Sequence, residues 1–121
     1  MVPALQPSLV NQPITGRAGI RCTTSDYLPL AGALLDAAAL TVNLPKHQMN
    51  AEELPWLSGL YVNTGHGSKG LITAPLCAEI IANNICGEPA PITTDLLAAI
   101  NPNRFLLRKL GLKKWVSAIG N

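Results

Sequence analysis

The spacing of apolar and polar residues changes several times along the chain. Residues 1–13 hold Pro3, Pro7 and Pro13 without a periodic apolar face, and read as an irregular lead-in. Residues 14–24, ITGRAGIRCTT, are rich in Ile and Thr and predict a strand. Ser25, Asp26 and Pro29 then make a turn, and Leu28–Ala33 predicts a second short strand. A short antiparallel pair over 14–33 is therefore expected. Segment 34–53 is ambiguous: Leu34–Leu40 fits a helical turn, whereas Pro45 and the polar stretch 46–53 fit a surface loop. In Gly59–Thr64, GLYVNT, Leu60 and Val62 fall on one face and Tyr61 and Asn63 on the other, the alternation of a strand.

Three glycines in TGHGSKGL follow, and then the apolar run Leu71–Cys86. Its apolar residues lie on most sides of a helical projection, which predicts a buried helix ending at Gly87 ahead of Pro89. Pro75 leaves two readings, since proline costs about 3 kcal/mol inside a helix and little in its first turn. Either the regular helix starts near Thr73, or it starts at Ser68 and bends at Pro75. Asp95 is placed to cap a short helix over 95–100. Asn101-Pro102 opens another, with Phe105, Leu106, Leu107 and Leu110 as its packing side. No internal repeat or low-complexity segment is visible.

Composition narrows the class. The 121 residues suit one small domain. Hydrophobic residues make up 48% and charged residues 13%, against about 25% charged in an average globular domain. That excludes intrinsic disorder, which needs the opposite balance. Asp36 and Glu79 interrupt the two longest apolar stretches, so neither approaches the ~18 apolar residues of a membrane span. Aromatic residues, at 4%, are too few for a base-stacking surface. A surface this short of charge points to a partner, or to the rest of a longer chain, as its cover.

Charge is unevenly spread. Segment 51–100 holds Lys69 as its single base, whereas 101–121 holds Arg104, Arg108, Lys109, Lys113 and Lys114 and no acid. Such a basic tail suits phosphate, or equally the C-terminal end of a helix dipole. Cys22, Cys77 and Cys86 are odd in number and lack CxxC spacing, which supports neither a disulfide framework nor a zinc site. No metal is expected, Cys77 reads as a small core residue, and a reducing, cytoplasmic compartment follows. The start MVPALQPSLV is a poor signal peptide.

The unit that carries chemistry is strand–TGHGSKGL–helix, residues 59–86. Gly65, Gly67 and Gly70 permit backbone conformations and close approaches barred to other residues. The helix start behind them offers free N–H groups and a positive dipole end, suited to a phosphate, a carboxylate or the pyrimidine edge of a reduced flavin. The spacing is neither GxGxxG nor Walker A, and a purely structural turn fits it as well.

The stretch GLYVNTGHGSKGLITAPLCAEIIANNICGEP, followed by NPNRFLLRKL, resembles the C-terminal end of a family of tRNA-modifying, FAD-dependent oxidoreductases. GRAGIRCTTSDYLPLAGAL, residues 16–34, resembles the strand pair preceding it there. The wider family is the D-amino-acid-oxidase-like flavoproteins, with the glycine and sarcosine oxidases. The resemblance implies an α+β piece of an FAD/NAD-binding fold: an antiparallel strand pair over 14–33, a strand–glycine-loop–long-helix unit over 59–86, and C-terminal helices over 92–115. It implies that the 59–64 strand is a late parallel strand of the flavin sheet. On the same resemblance Gly65, His66, Gly67, Ser68, Lys69, Gly70 and Leu71 face the flavin of FAD.

Lys69 stands where sarcosine-oxidase-like members bind the substrate carboxylate, and the tRNA-modifying members more often carry Arg there. Arg21 and Tyr27 lie on the substrate side, with Arg17 a weaker candidate. For His66 the resemblance implies orientation of the flavin rather than proton abstraction. The implied reaction is oxidation at a CH–NH bond, removing the carboxymethyl group from 5-carboxymethylaminomethyl(-2-thio)uridine at the tRNA wobble position. A companion methyltransferase then completes the modification.

The family's GxGxxG fingerprint for the ADP part of FAD is absent. The chain is therefore expected to be the last piece of a multifunctional enzyme, inactive alone, with weak or no FAD binding. Two other readings compete. One is a stand-alone module that binds RNA or protein through its basic C-terminal helix, where Arg104 and Arg108 share a face. The other is an amine oxidase acting on a free amino acid, against which the NPNRFL block speaks.

Overall fold

The computed structural model describes residues 15–44 and 50–118. Strand β1 (Leu30–Leu35) leads into helix α1 (Ala37–Val42), and a 3-10 turn (Ala51–Glu53) precedes strand β2 (Trp56–Thr64). Four helices follow: α2 (Gly70–Cys86), α3 (Thr94–Ile100), α4 (Arg104–Lys109) and α5 (Lys113–Ala118). The α+β class is borne out, but the strand pairing differs from expectation. Residues 15–29 form no strand beyond an isolated bridge between Thr23 and His66. β1 pairs antiparallel with β2 instead, with Leu30 opposite Thr64 and Ala33 opposite Tyr61. ITGRAGIRCTT has β-branched residues, but its described side chains are largely exposed. β propensity without a buried face does not hold a strand.

The register breaks between Ala33 and Leu35, which pair with Tyr61 and Trp56. Gly59, at φ 70°, lies in the extra length that β2 carries there. Asn103 repairs this break from the far end of the chain. Its Nδ2–H donates to Ala33 O at 2.9 Å, and its Oδ1 accepts from Leu35 N–H at 2.9 Å. Asp36 then ends the strand and starts α1, its Oδ1 accepting from Ala38 and Ala39 N–H at 2.9 and 3.0 Å. The ambiguous 34–40 stretch is thus a strand end, a cap and a helix start; residues 45–49 of the expected loop lie outside the described residues.

Leu35, Leu40, Leu54, Leu107, Trp115 and Val116 form the buried core, joined by the partly buried Leu106 and Leu110. The packing side predicted for α4 is therefore observed for its leucines. α3 begins at Thr94 with Thr93 as N-cap, and Asp95 sits in its first turn rather than capping it. α2 lies against the ribbon through Cys77 and Ile80. Its regular part starts at Gly70, so Pro75 stands inside the helix. It ends at Gly87, φ 70°, where Glu88 N–H returns to Asn83 O at 2.8 Å, as in a Schellman-type cap. The expected all-round burial of α2 is not met: Leu71 is 97% exposed, Ile72 80% and Ile85 61%. No helix among the described residues is long and apolar enough to cross a membrane.

Candidate functional site

β2 delivers the chain to Gly65, and α2 carries it away from Lys69. Gly65 and Gly67 both adopt positive φ, 75° and 56°, which non-glycine side chains resist. Gly65 is also crowded: a Cβ there would stand 3.1 Å from the Thr24 methyl group. The loop is fastened to segment 22–24 by Gly67 N–H, which donates to Cys22 O at 2.9 Å, beside the Thr23–His66 bridge. Lys69 N–H closes a turn onto His66 O at 3.0 Å.

His66 is held at both ring nitrogens. Asn63 Nδ2–H donates to Ala74 O at 3.2 Å, which turns Asn63 Oδ1 toward His66 Nε2 at 2.8 Å. Nε2 therefore carries a proton in the neutral ring. Nδ1 lies 2.8 Å from the Thr73 hydroxyl, which is also 3.0 Å from Lys69 O. With both nitrogens engaged inside the protein, the ring is oriented rather than presented as a base. Asn63 and Thr73 had not stood out in the sequence. Their spacing from His66, three back and seven on, matches a ring set between a strand end and a helix's first turn.

The start of α2 fits an anionic or electron-rich group. Among the described residues, the N–H groups of Ser68, Gly70 and Leu71 have no backbone acceptor, as expected for a first helical turn. The helix is 17 residues long and its first turn carries no acid to oppose an anion. Lys69 is exposed, and no ion pair engages it among the described residues.

Arg21 is exposed, one residue from the Cys22 carbonyl that fastens the loop. Arg17 is exposed, outside any helix or strand. Tyr27 is 75% exposed and holds φ 60°, the one non-glycine positive φ among the described residues. The fold brings segment 21–24 to the glycine loop, while no hydrogen bond or ion pair joins the side chains of Arg21, Tyr27 and Lys69.

Arg104 corrects the reading of a basic helical face. It is fully buried, and its five N–H donors are all used. Nε and Nη2 form a fork on the Asp26 carboxylate at 3.0 and 2.7 Å. Nη2 also donates to Leu28 O, and Nη1 to Pro29 O and Asn101 O. This pairing holds the Asp26 carboxyl well below its ordinary value, with the Leu28 N–H and Thr24 hydroxyl adding to the effect. Arg108 stays half exposed, 4.0 Å from Asp26. Cys22, Cys77 and Cys86 are free thiols, and burial pushes the Cys77 thiol up.

A family model described as FAD dependent oxidoreductase matches residues 1–84. A tRNA 5-methylaminomethyl-2-thiouridine biosynthesis bifunctional protein from Methylobacillus flagellatus is 57% identical over 120 residues, 98% of this chain and 18% of that relative. The protein of the same name from Pseudomonas putida strain GB-1 is 48% identical over 102 residues, 80% of this chain and 16% of its own length. That from Pseudomonas aeruginosa strain UCBPP-PA14 is 49% identical over the same share. The chain thus spans less than a fifth of the length of these curated relatives.

Proposed function

The chain belongs to the FAD dependent oxidoreductase family, and from that premise we propose that it supplies the flavin- and substrate-facing end of a tRNA wobble-uridine oxidoreductase. The observation that carries this reading is the match to the Methylobacillus protein, 57% identical across 98% of the chain. The unpaired N–H groups at the start of α2 support it, because they suit the electron-rich edge of a flavin.

In this reading Gly65–Leu71 lie along the flavin, with glycines where the backbone must come close. The Ser68, Gly70 and Leu71 N–H groups and the α2 dipole stabilise negative charge there. Lys69 binds the carboxylate of a carboxymethylaminomethyl group, as a point charge without the bidentate fork of Arg. Arg21 is a second contact for carboxylate or phosphate, and Tyr27 borders the substrate. FAD supplies the two-electron acceptor for oxidation of the CH–NH unit. The substrate's C=N product then takes up water, giving the aminomethyl uridine and glyoxylate. On this reading the chain acts in the cytoplasm, with tRNA as its partner.

The test is a chimera in which this chain replaces the matching segment of the Methylobacillus relative. The nucleosides of its tRNA are then measured by mass spectrometry. Carboxymethylaminomethyl uridine should be consumed by the chimera and accumulate with Lys69→Ala. A folded chimera that binds FAD but leaves the nucleoside untouched would overturn the reading. The chain by itself should show weak or no quenching of flavin fluorescence.

A further inference from the structure

We propose that Arg104 is a positioning residue for the glycine loop, acting through Asp26 and Thr24 on the segment that seats Gly65–Gly67 before α2. Its importance for chemistry rests on the flavin-facing reading of that loop; the mechanical coupling does not.

The links are contiguous. Arg104 opens α4, far along the chain, yet its guanidinium is fully buried against the 26–29 turn. The bidentate fork fixes both the position and the rotation of the Asp26 carboxylate. Asp26 Oδ1 in turn accepts from Leu28 N–H at 3.2 Å and lies 2.9 Å from the Thr24 hydroxyl, which also reaches Leu28 O at 2.6 Å. Thr24 stands with its methyl group tight over Gly65. The residues just before it hold the loop backbone, through Cys22 O and the Thr23 bridge.

Burying an ion pair is a poor way to gain stability, since apolar residues of similar volume serve as well or better. A fully satisfied fork does give one orientation of the groups it holds. Segment 15–24 has no sheet pairing beyond the Thr23–His66 bridge, and no buried apolar face to place it. The clamp supplies that placement, and the loop inherits it.

Backbone amide hydrogen exchange on the full 121-residue chain tests the coupling, with Gly67 N–H as reporter and the core Leu40 N–H, bonded to Asp36 O, as reference. Asp26→Asn and Arg104→Lys should speed exchange at Gly67 at least about tenfold, the value of one lost charge-assisted hydrogen bond. Thr24→Val leaves the ion pair and the core intact. It should speed Gly67 exchange while Leu40 stays within about twofold, as local opening predicts. Unchanged Gly67 exchange in Thr24→Val and Asp26→Asn would overturn the proposal. So would a rise in Arg104→Lys that only keeps step with Leu40. Failure of the flavin reading would appear separately, as a chimera without FAD binding and with normal coupling.

Discussion

Asn103 offers the sharpest test of how this small fold is held. It is 3% exposed, and its amide bridges Ala33 O and Leu35 N–H across the break in the β1–β2 register. Asn103→Ala removes both partners at a buried position. A buried polar group left unpaired costs about 1–3 kcal/mol, so two groups cost about 3 kcal/mol after some relaxation. That is a large share of the roughly 5–15 kcal/mol total of a small domain. Asn103→Asp separates the two bonds. Its carboxylate keeps the acceptor for Leu35 N–H but sets a negative oxygen against Ala33 O. Burial and that repulsion raise the introduced carboxyl's pKa above its unfolded value. The variant therefore comes closest to the parent below about pH 4, where the protonated form donates to Ala33 O, and falls behind as pH rises. Urea unfolding followed by Trp56 and Trp115 fluorescence at pH 4 and pH 7 measures both effects. A loss under about 1 kcal/mol for Asn103→Ala, or an Asn103→Asp deficit equal at the two pH values, would refute the bridging role.

Other outcomes follow from the same structure. Asp26 is held below its ordinary 3.8 by Arg104, so its contribution is present above pH 3.8 and is lost as pH falls toward its folded value. The stability gap between the parent and Asp26→Asn should therefore be widest at neutral pH and shrink steadily below pH 4 in urea titrations. Tyr27 holds a left-handed backbone with its ring in solvent. Tyr27→Gly should accordingly stabilise the chain by about 1 kcal/mol, a rise of a few degrees in Tm by calorimetry. Ile72 is 80% exposed on α2, and Ile72→Lys should change stability by no more than about 0.5 kcal/mol while raising solubility. A loss of several kcal/mol would mean that this face is packed within the chain.

What the sequence showed and what it hid divide along a physical line. Features set by a residue and its near neighbours were legible: a strand at GLYVNT, though not its alternation, since Leu60 is exposed beside the half-buried Tyr61 and Val62, the glycine turn, the stop at Gly87, the leucines of α4. Features set by distant pairing were not. ITGRAGIRCTT and LAGALL carry similar local signals, yet among the described residues only the second forms a strand, paired with β2, while the first makes a single bridge. Arg104 and Arg108 looked alike as cations four apart on one helix. Only the position of Asp26, in a turn before β1, makes the first a buried clamp and leaves the second half exposed. The block Asn101-Pro102-Asn103-Arg104 held a hint, since two asparagines beside a proline at a helix start suggest fixed backbone geometry. Its meaning needed the break in β1 that Asn103 fills.

The same division explains α2. Its apolar residues on most sides predicted burial, and the periodicity itself was read correctly. Within this chain only Cys77 and Ile80 are buried, while Leu71 and Ile72 stand in solvent beside the N–H groups of the first turn. Exposed apolar residues beside unpaired donors suit the flat, electron-rich ring system of the proposed reading: its faces seek apolar contact and its polar edge seeks donors. The low charge of the chain and the bare end of α2 are thus one feature seen at two scales. On the proposed flavin-facing reading, both suit a loop that lies against a group larger than a phosphate ion. A phosphate site alone would need the donors and Lys69 but would gain nothing from Leu71 and Ile72 in solvent.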